Sequence, residues 1–379
     1  MTTDTSAELK LFRDTSKAFV EARASVPAVR ALWKEDRSFD RDWWAGATEL
    51  GWTSLLVPED QGGGSVSGAG VVDLVMVAGL LGAHAAPGPL HPVSAVIAGL
   101  THPAAREHPE LLDALMAGDQ VATWAVQATR SGWDPLAPAV TASPGPGGGW
   151  KLDGAATAVE LGAESDVILV VARTPQGVVE IAVPVGTAGV TVSPTGSIDM
   201  VRTFADVVFS GAEVGGESLV ADESAAPAVI AHQARVLNLL QVAEAVGAVE
   251  RVFEFTVQWG FDRYSFGRPL VSYQALKHRY ADNMLWLQAC QAVVVAAAQA
   301  VQDGSAEADL LVSSAKAYVG DRGVQVVQDC GQLHGGLSQT MDHDLNVYLR
   351  RVMLARQLYG TPREHRARVA EIVLGRNAA

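Results

Sequence analysis

Cysteine is scarce in this sequence. Two occur in 379 residues, Cys290 and Cys330, and neither forms a CxxC pair or sits near a plausible metal-ligand set. That excludes a disulfide-stapled scaffold and a structural zinc site, and it predicts a reduced, cytoplasmic protein. Basic residues are also few. There are 28 Lys and Arg against 42 Asp and Glu, giving a formal charge of −14. So acidic a chain offers no broad surface to nucleic acid or to an anionic membrane, though a local basic pocket remains compatible with it. The opening residues MTTDTSAELKLFRDT contain no basic segment leading into an apolar one, so no signal peptide is read there. The most hydrophobic window, 77–100, carries His84, Pro87, Pro89, His91 and Pro92. That suits buried helix and loop better than a bilayer span. No GxGxxG or Walker-type loop follows a predicted strand, which excludes a Rossmann route to a nucleotide.

What is present falls into three textures. With 49% apolar residues the chain can bury a large core and form two or three domains. Residues 1–120 repeat apolar side chains at three- and four-residue spacing, as in AELKLFRDTSKAFVEARA, and predict a helical domain in which Trp43, Trp44 and Trp52 act as anchors. Residues 121–225 turn to short β-rich runs at 166–173, 178–184, 189–193 and 205–211, punctuated by Gly and Pro, with SPGPGGGW as a hairpin turn. They predict an antiparallel β domain, a sandwich or barrel. Residues 226–379 return to helix, with four long segments at 226–262, 273–301, 307–330 and 343–359, and predict a four-helix bundle. The whole reads as an α+β fold.

Two stretches carry chemistry. RYSFGRPLVSYQ, residues 263–274, breaks the first two bundle helices apart. Arg263 at such a break is presented from the end of a rigid element, and its planar fork suits a diphosphate. Ser265 and unpaired backbone N–H groups add neutral donors. Gly267 and Pro269 fix the turn, and Gln274 opens the next helix. The second stretch, GQLHGG, places Gly335 and Gly336 where another group must approach the backbone closely. The cluster His334, Asp342, His343 and Asp344 matches no metal-site spacing, so no metal is expected.

LGWTSLLVPEDQGG, then the β-rich segment, then RYSFGRPLVSYQALKHRYADNM and GQLHGGLSQTMDHDLNVYLRR, resemble the acyl-CoA dehydrogenase family over nearly the whole chain and in the family's order. The resemblance implies an FAD cofactor and α,β-dehydrogenation of an acyl-CoA thioester. Arg263, Ser265, Phe266, Gln274, Gln332, Gly335 and Gly336 would contact the adenosine-diphosphate half of FAD. The family also needs a carboxylate base, placed either just before a Gly near the C-terminus or on the first bundle helix. Here those positions hold Tyr359 and, by count, Leu237. The loop and strand that flank the flavin depart as well: Val126, Gln127 and Ala128 replace a Thr-Glu-Pro-like loop, and Ala158 and Glu160 stand where Trp and Thr are usual.

These departures suggest a chain that resembles the beta-type subunit of heterotetrameric actinobacterial members, acting on a steroid-derived CoA ester. A homologous alpha-type partner would supply flavin pocket and base, and electron-transfer flavoprotein or a similar acceptor would take the electrons. Two alternatives stand beside it. In one, Glu244 lies in an apolar helix, has its pKa raised by burial, and serves as base of a self-sufficient enzyme. In the other the chain is a non-catalytic scaffold.

Overall fold

The computed structural model describes residues 7–35, 37–128 and 132–378. Six helices come first: α1 (Ala7–Arg23), α2 (Val26–Lys34), α3 (Arg41–Glu49), α4 (Gly70–His84), α5 (Leu90–Leu100) and α6 (Pro109–Ala117). Local chemistry sets their ends. The Asp40 carboxylate accepts the Asp42 N–H at 2.8 Å and caps α3. Pro109 opens α6 with its φ already set, and Gly118 closes it at φ 79°. Trp43 stacks on Phe19 at 4.7 Å, and Trp52 packs edge-on against both, tying α1 to α3. The window 77–100 is the end of α4, a turn, and α5. Every residue of α5 is buried, as a helix apolar on all sides requires.

One eight-stranded sheet follows: β1 (Ala122–Ala125), β2 (Thr141–Pro144), β3 (Trp150–Glu160), β4 (Val167–Arg173), β5 (Val178–Pro184), β6 (Val190–Thr195), β7 (Phe204–Val214) and β8 (Leu219–Ala221). The spatial order is β6-β7-β3-β2-β4-β5-β8, and β1 pairs with β4. The four anticipated runs are β4 to β7, and SPGPGGGW turns β2 into β3. The expectation of a purely antiparallel sheet is corrected, because β1 runs parallel to β4 and β2 meets β4 in parallel at Thr141. The reason was visible in β4. Its first six residues, VILVVA, are all buried, the unbroken apolar run of a strand covered on both faces.

The last third holds α7 (Ala226–Asp262), a short hairpin of β9 (Tyr264–Ser265) and β10 (Arg268–Pro269), then α8 (Gln274–Gln302), α9 (Ala308–His334), α10 (Leu345–Gln357) and α11 (Pro362–Ala378). The four anticipated helices form, and α11 is a fifth, lying against α9. Its start is a capping box, Thr361-Pro-Arg-Glu364. The Thr361 N–H donates to the Glu364 carboxylate at 2.7 Å, and the Glu364 N–H donates back to the Thr361 hydroxyl at 3.3 Å. By length and composition α8 is apolar enough to cross a membrane, which the sequence reading overlooked. In the fold it is a bundle helix, with Leu287, Cys290, Val294 and Ala297 in the core.

The closest helix contact joins the first segment to the last. A Cβ at Gly247 of α7 would lie 2.0 Å from the Gly79 carbonyl of α4, and one at Gly82 would lie 1.9 Å from the Glu244 carbonyl. Only glycine allows the two backbones so near. The approach holds Glu244 against the turn after α4.

Candidate cofactor pocket and a buried charge cluster

Arg263 leaves α7 in extended conformation, while its N–H still bonds the Trp259 carbonyl at 2.8 Å. The hairpin follows, with Ser265 opposite Arg268 and Tyr264 opposite Pro269. Phe266 and Gly267 form its tip with φ of 48° and 80°. Two positive φ values are what a two-residue hairpin turn demands, and they come at a cost for a bulky side chain. The Tyr273 hydroxyl donates to the Ser265 carbonyl at 2.6 Å and the Leu270 N–H to the Arg263 carbonyl at 2.9 Å, so the hairpin is pinned at its base.

On the other side α9 stops at His334, and Gly335 turns the chain at φ 69°. The Ser338 hydroxyl lies within hydrogen-bond distance of the Gly331 and Gly335 carbonyls and closes that turn. The two breaks face each other. Arg263, Ser265, Gln332, Gly335 and Gly336 line one pocket of about 460 Å³, with Trp259 and His334 beside them. A Cβ built on Gly335 or Gly336 would meet nothing within 4 Å, so both backbones border open space. The Arg263 guanidinium lies 5.7 Å from the Trp259 ring centre. Phe266, 97% exposed, and Gln274 do not line this pocket. His334, which sequence reasoning passed over as part of a loop, does.

The second feature is a buried charge cluster around Glu244. Arg202 donates through Nε and Nη2 to Glu160, both at 2.7 Å, and through Nη1 to Glu244 at 2.8 Å and Gln241 at 3.0 Å. Arg351 donates through Nη1 to the other oxygen of Glu244 at 2.6 Å, and through Nε to Asp199 at 2.6 Å. Its remaining N–H groups reach the Ala85 and Ala86 carbonyls. The Tyr359 hydroxyl donates to Glu160 at 3.1 Å. All these side chains are buried. Three carboxylates and two guanidiniums thus form one closed network in which almost every donor has a partner.

This corrects the expectation for Glu244. Burial pushes its carboxyl up, but Arg351 and Arg202 outweigh it and the net shift is downward. A carboxylate with both oxygens held by guanidiniums is a poor proton acceptor. Asp199 is likewise lowered, against burial, by Arg351. Tyr359 is raised far above the usual phenol range by burial and by Glu160, so it stays protonated. Leu237, the other place where the resemblance would put a base, is buried and apolar.

With this geometry in view, the comparisons are informative. The acyl-CoA dehydrogenase N-terminal domain matches residues 6–106, and the C-terminal domain matches residues 229–374. The chain belongs to the acyl-CoA dehydrogenase family. Members of this family are flavoprotein oxidoreductases acting on the CH–CH bond of an acyl-CoA thioester. Acyl-CoA dehydrogenase IpdE2 of Mycolicibacterium smegmatis is 29% identical over 372 residues, covering 96% of this chain and 98% of that one. The ChsE4-ChsE5 complex of Mycobacterium tuberculosis contains a chain that superposes with a TM-score of 0.85 at 25% identity, over 98% of each. The Tcur3481-Tcur3483 steroid ACAD superposes at 0.88 with 23% identity, over 98% of this chain and 99% of that chain.

The fit to FAD is therefore split. The Arg263 pocket offers a cationic fork, open glycine backbone and a buried imidazole nitrogen without a partner, all suited to the nucleotide half. At the positions where the resemblance places the flavin ring and its base, the side chains are Glu160 and Tyr359, bonded to each other and clamped by Arg202. These side chains close on one another.

Proposed function

We propose that this chain is one half of a heteromeric FAD-dependent acyl-CoA dehydrogenase. Arg263, Ser265, Gln332, Gly335 and Gly336 hold the adenosine-diphosphate end of FAD, with Phe266 and Gln274 reaching it from the pocket's rim once a partner chain closes the site. The partner, a homologous alpha-type subunit in a heterotetramer, supplies the ring pocket and the catalytic carboxylate. The observation that carries this reading is the Glu160–Arg202–Glu244 clamp, which fills the corresponding space in this chain while the Arg263 pocket stays open. It also separates this reading from a self-sufficient enzyme based on Glu244. The open pocket in turn argues against a scaffold without cofactor.

The substrate in this reading is a CoA ester of a steroid fragment, a choice supported by the steroid ACAD that shares the fold. Electrons would pass to electron-transfer flavoprotein or a similar acceptor, in the cytoplasm.

The test is co-purification. Expressed alone, the chain should be colourless. Expressed with its partner it should yield a yellow complex with one flavin for every two chains, and Arg263→Ala in this chain should lower the flavin content. A charge-assisted hydrogen bond contributes about 1.5–3 kcal/mol, so the affinity should fall at least tenfold. A yellow, active homodimer made of this chain alone refutes the proposal.

A further inference from the structure

We infer that His334 accepts a hydrogen bond through Nδ1 from a sugar hydroxyl of the ribonucleotide bound in the Arg263 pocket. The inference rests on the reading of that pocket as a nucleotide site.

The Thr256 hydroxyl donates to the Val252 carbonyl at 2.6 Å, which commits its single hydrogen. His334 Nε2 lies 3.1 Å from that same hydroxyl oxygen. With the hydrogen already used, Thr256 can only accept, so Nε2 carries the proton and donates. The tautomer is thereby fixed, and Nδ1 presents a lone pair. Among the described residues, no group donates to it.

The ring is also held in place. It stacks on Trp259 at 5.2 Å with 21° between the planes, and meets Phe255 and His343 edge-on at 5.6 and 4.8 Å. It is 7% exposed, and it lines the pocket. Burial, and the His343 ring beside it, push the imidazole down to about 4, so it is neutral at pH 7. Asp329, Asp342 and Asp344 are the charged residues closest to it along the chain, and Arg263 is the charged residue in the pocket wall.

A neutral acceptor cannot recognise a diphosphate, whose oxygens only accept. It needs an O–H or N–H. Of the pocket's other polar side chains, the Arg263 fork only donates and is matched to phosphate oxygens, while Ser265 and Gln332 can donate or accept. A rigid, buried acceptor with no hydrogen of its own selects the part of the ligand that carries hydroxyls next to the phosphates, which is the ribose.

The experiment compares ADP with 2′,3′-dideoxy-ADP, binding being read from Trp259 fluorescence and by calorimetry on the purified chain and on its complex stripped of flavin. Wild type should prefer ADP by about fivefold to tenfold, the value of one neutral hydrogen bond. His334→Phe keeps the flat ring but should abolish that preference, while Arg263→Ala should weaken both ligands alike. No preference in wild type, or a preference that survives His334→Phe, overturns the inference while leaving the nucleotide site standing. A preference lost with inosine diphosphate instead of the dideoxy sugar moves the contact to the base and overturns it too. Failure of ADP to bind at millimolar concentration removes the nucleotide reading itself. The wild-type comparison stands even if the His334 variant does not fold.

Discussion

Tyr359 and Glu160 are joined by a 3.1 Å hydrogen bond across 199 positions of sequence, and Arg202 grips the same carboxylate from its other side. The bond ties the end of β3 to the turn that follows α10.

That contact predicts that Tyr359 has no part in chemistry. Tyr359→Phe removes one hydrogen bond to Glu160, which keeps both Arg202 contacts, so the loss in stability should be about 1 kcal/mol. Turnover of the assembled complex should stay within twofold of wild type. A hundredfold fall in kcat, with the complex intact, would show that the phenol takes part in the reaction after all.

Arg202 should be far less tolerant. Arg202→Leu leaves Glu160 with only the Tyr359 hydroxyl and Glu244 with only Arg351, both out of reach of water. Breaking a buried pair from one side costs about 3–5 kcal/mol. Pairing the change with Glu160→Leu should recover much of that loss, and urea denaturation of the two single variants and the double gives the coupling directly. Additive losses would mean that the two groups do not interact.

Glu180 gives a pH dependence with a definite sign. It is fully buried on β5 and accepts the Trp124 indole N–H at 2.8 Å. Burial pushes its carboxyl up to about 8 against a reference near 4.5, the Trp124 and Gln233 contacts opposing only in part. The folded state therefore holds a proton that the unfolded state has released. Stability from this group is fully present below pH 4.5 and is lost as pH rises through 8, by about 3 kcal/mol at pH 7. Glu180→Gln should remove that slope and stabilise the protein at pH 7 to 8, while differing little near pH 4. Denaturation midpoints across this range decide it, and a parallel pH profile for the variant would sink the assignment.

Gly247→Ala should be disruptive although it adds one methyl group. The new carbon would sit 2.0 Å from the Gly79 carbonyl, so α4 and α7 must separate. Forced overpacking of this kind costs about 1–3 kcal/mol or more. Thermal unfolding of the variant measures it, and an unchanged Tm would show that the helices slide apart freely.

How much of this could be read in advance depends on the distance between the signals. The helices α7, α8 and α9 were legible because their apolar periods run long and proline stays out of their interiors. The hairpin was legible from Gly267 and Pro269. The strands β1, β2 and β8 were not, being three or four residues long and too short to show an alternation. For α11 the cue was in plain view, since TPRE is both a capping box and a proline at the first helical turn, and it went unused. The charge cluster is a different case. Glu160, Asp199, Arg202, Glu244 and Arg351 are single charges embedded in apolar surroundings, tens of residues apart except for the pair at 199 and 202. Their burial could be guessed one by one. Which acid meets which guanidinium is decided by the packing of the sheet on the bundle, and that pairing reversed the sign of the Glu244 shift.

The clamp also restricts what the chain can become. Removing either arginine alone leaves a buried acid without a cation: Glu160 when Arg202 goes, Asp199 when Arg351 goes. Replacing the cluster would take several coordinated changes at once. The buried ions thus act as a latch on the packing of the sheet against the bundle, one that does not open a residue at a time.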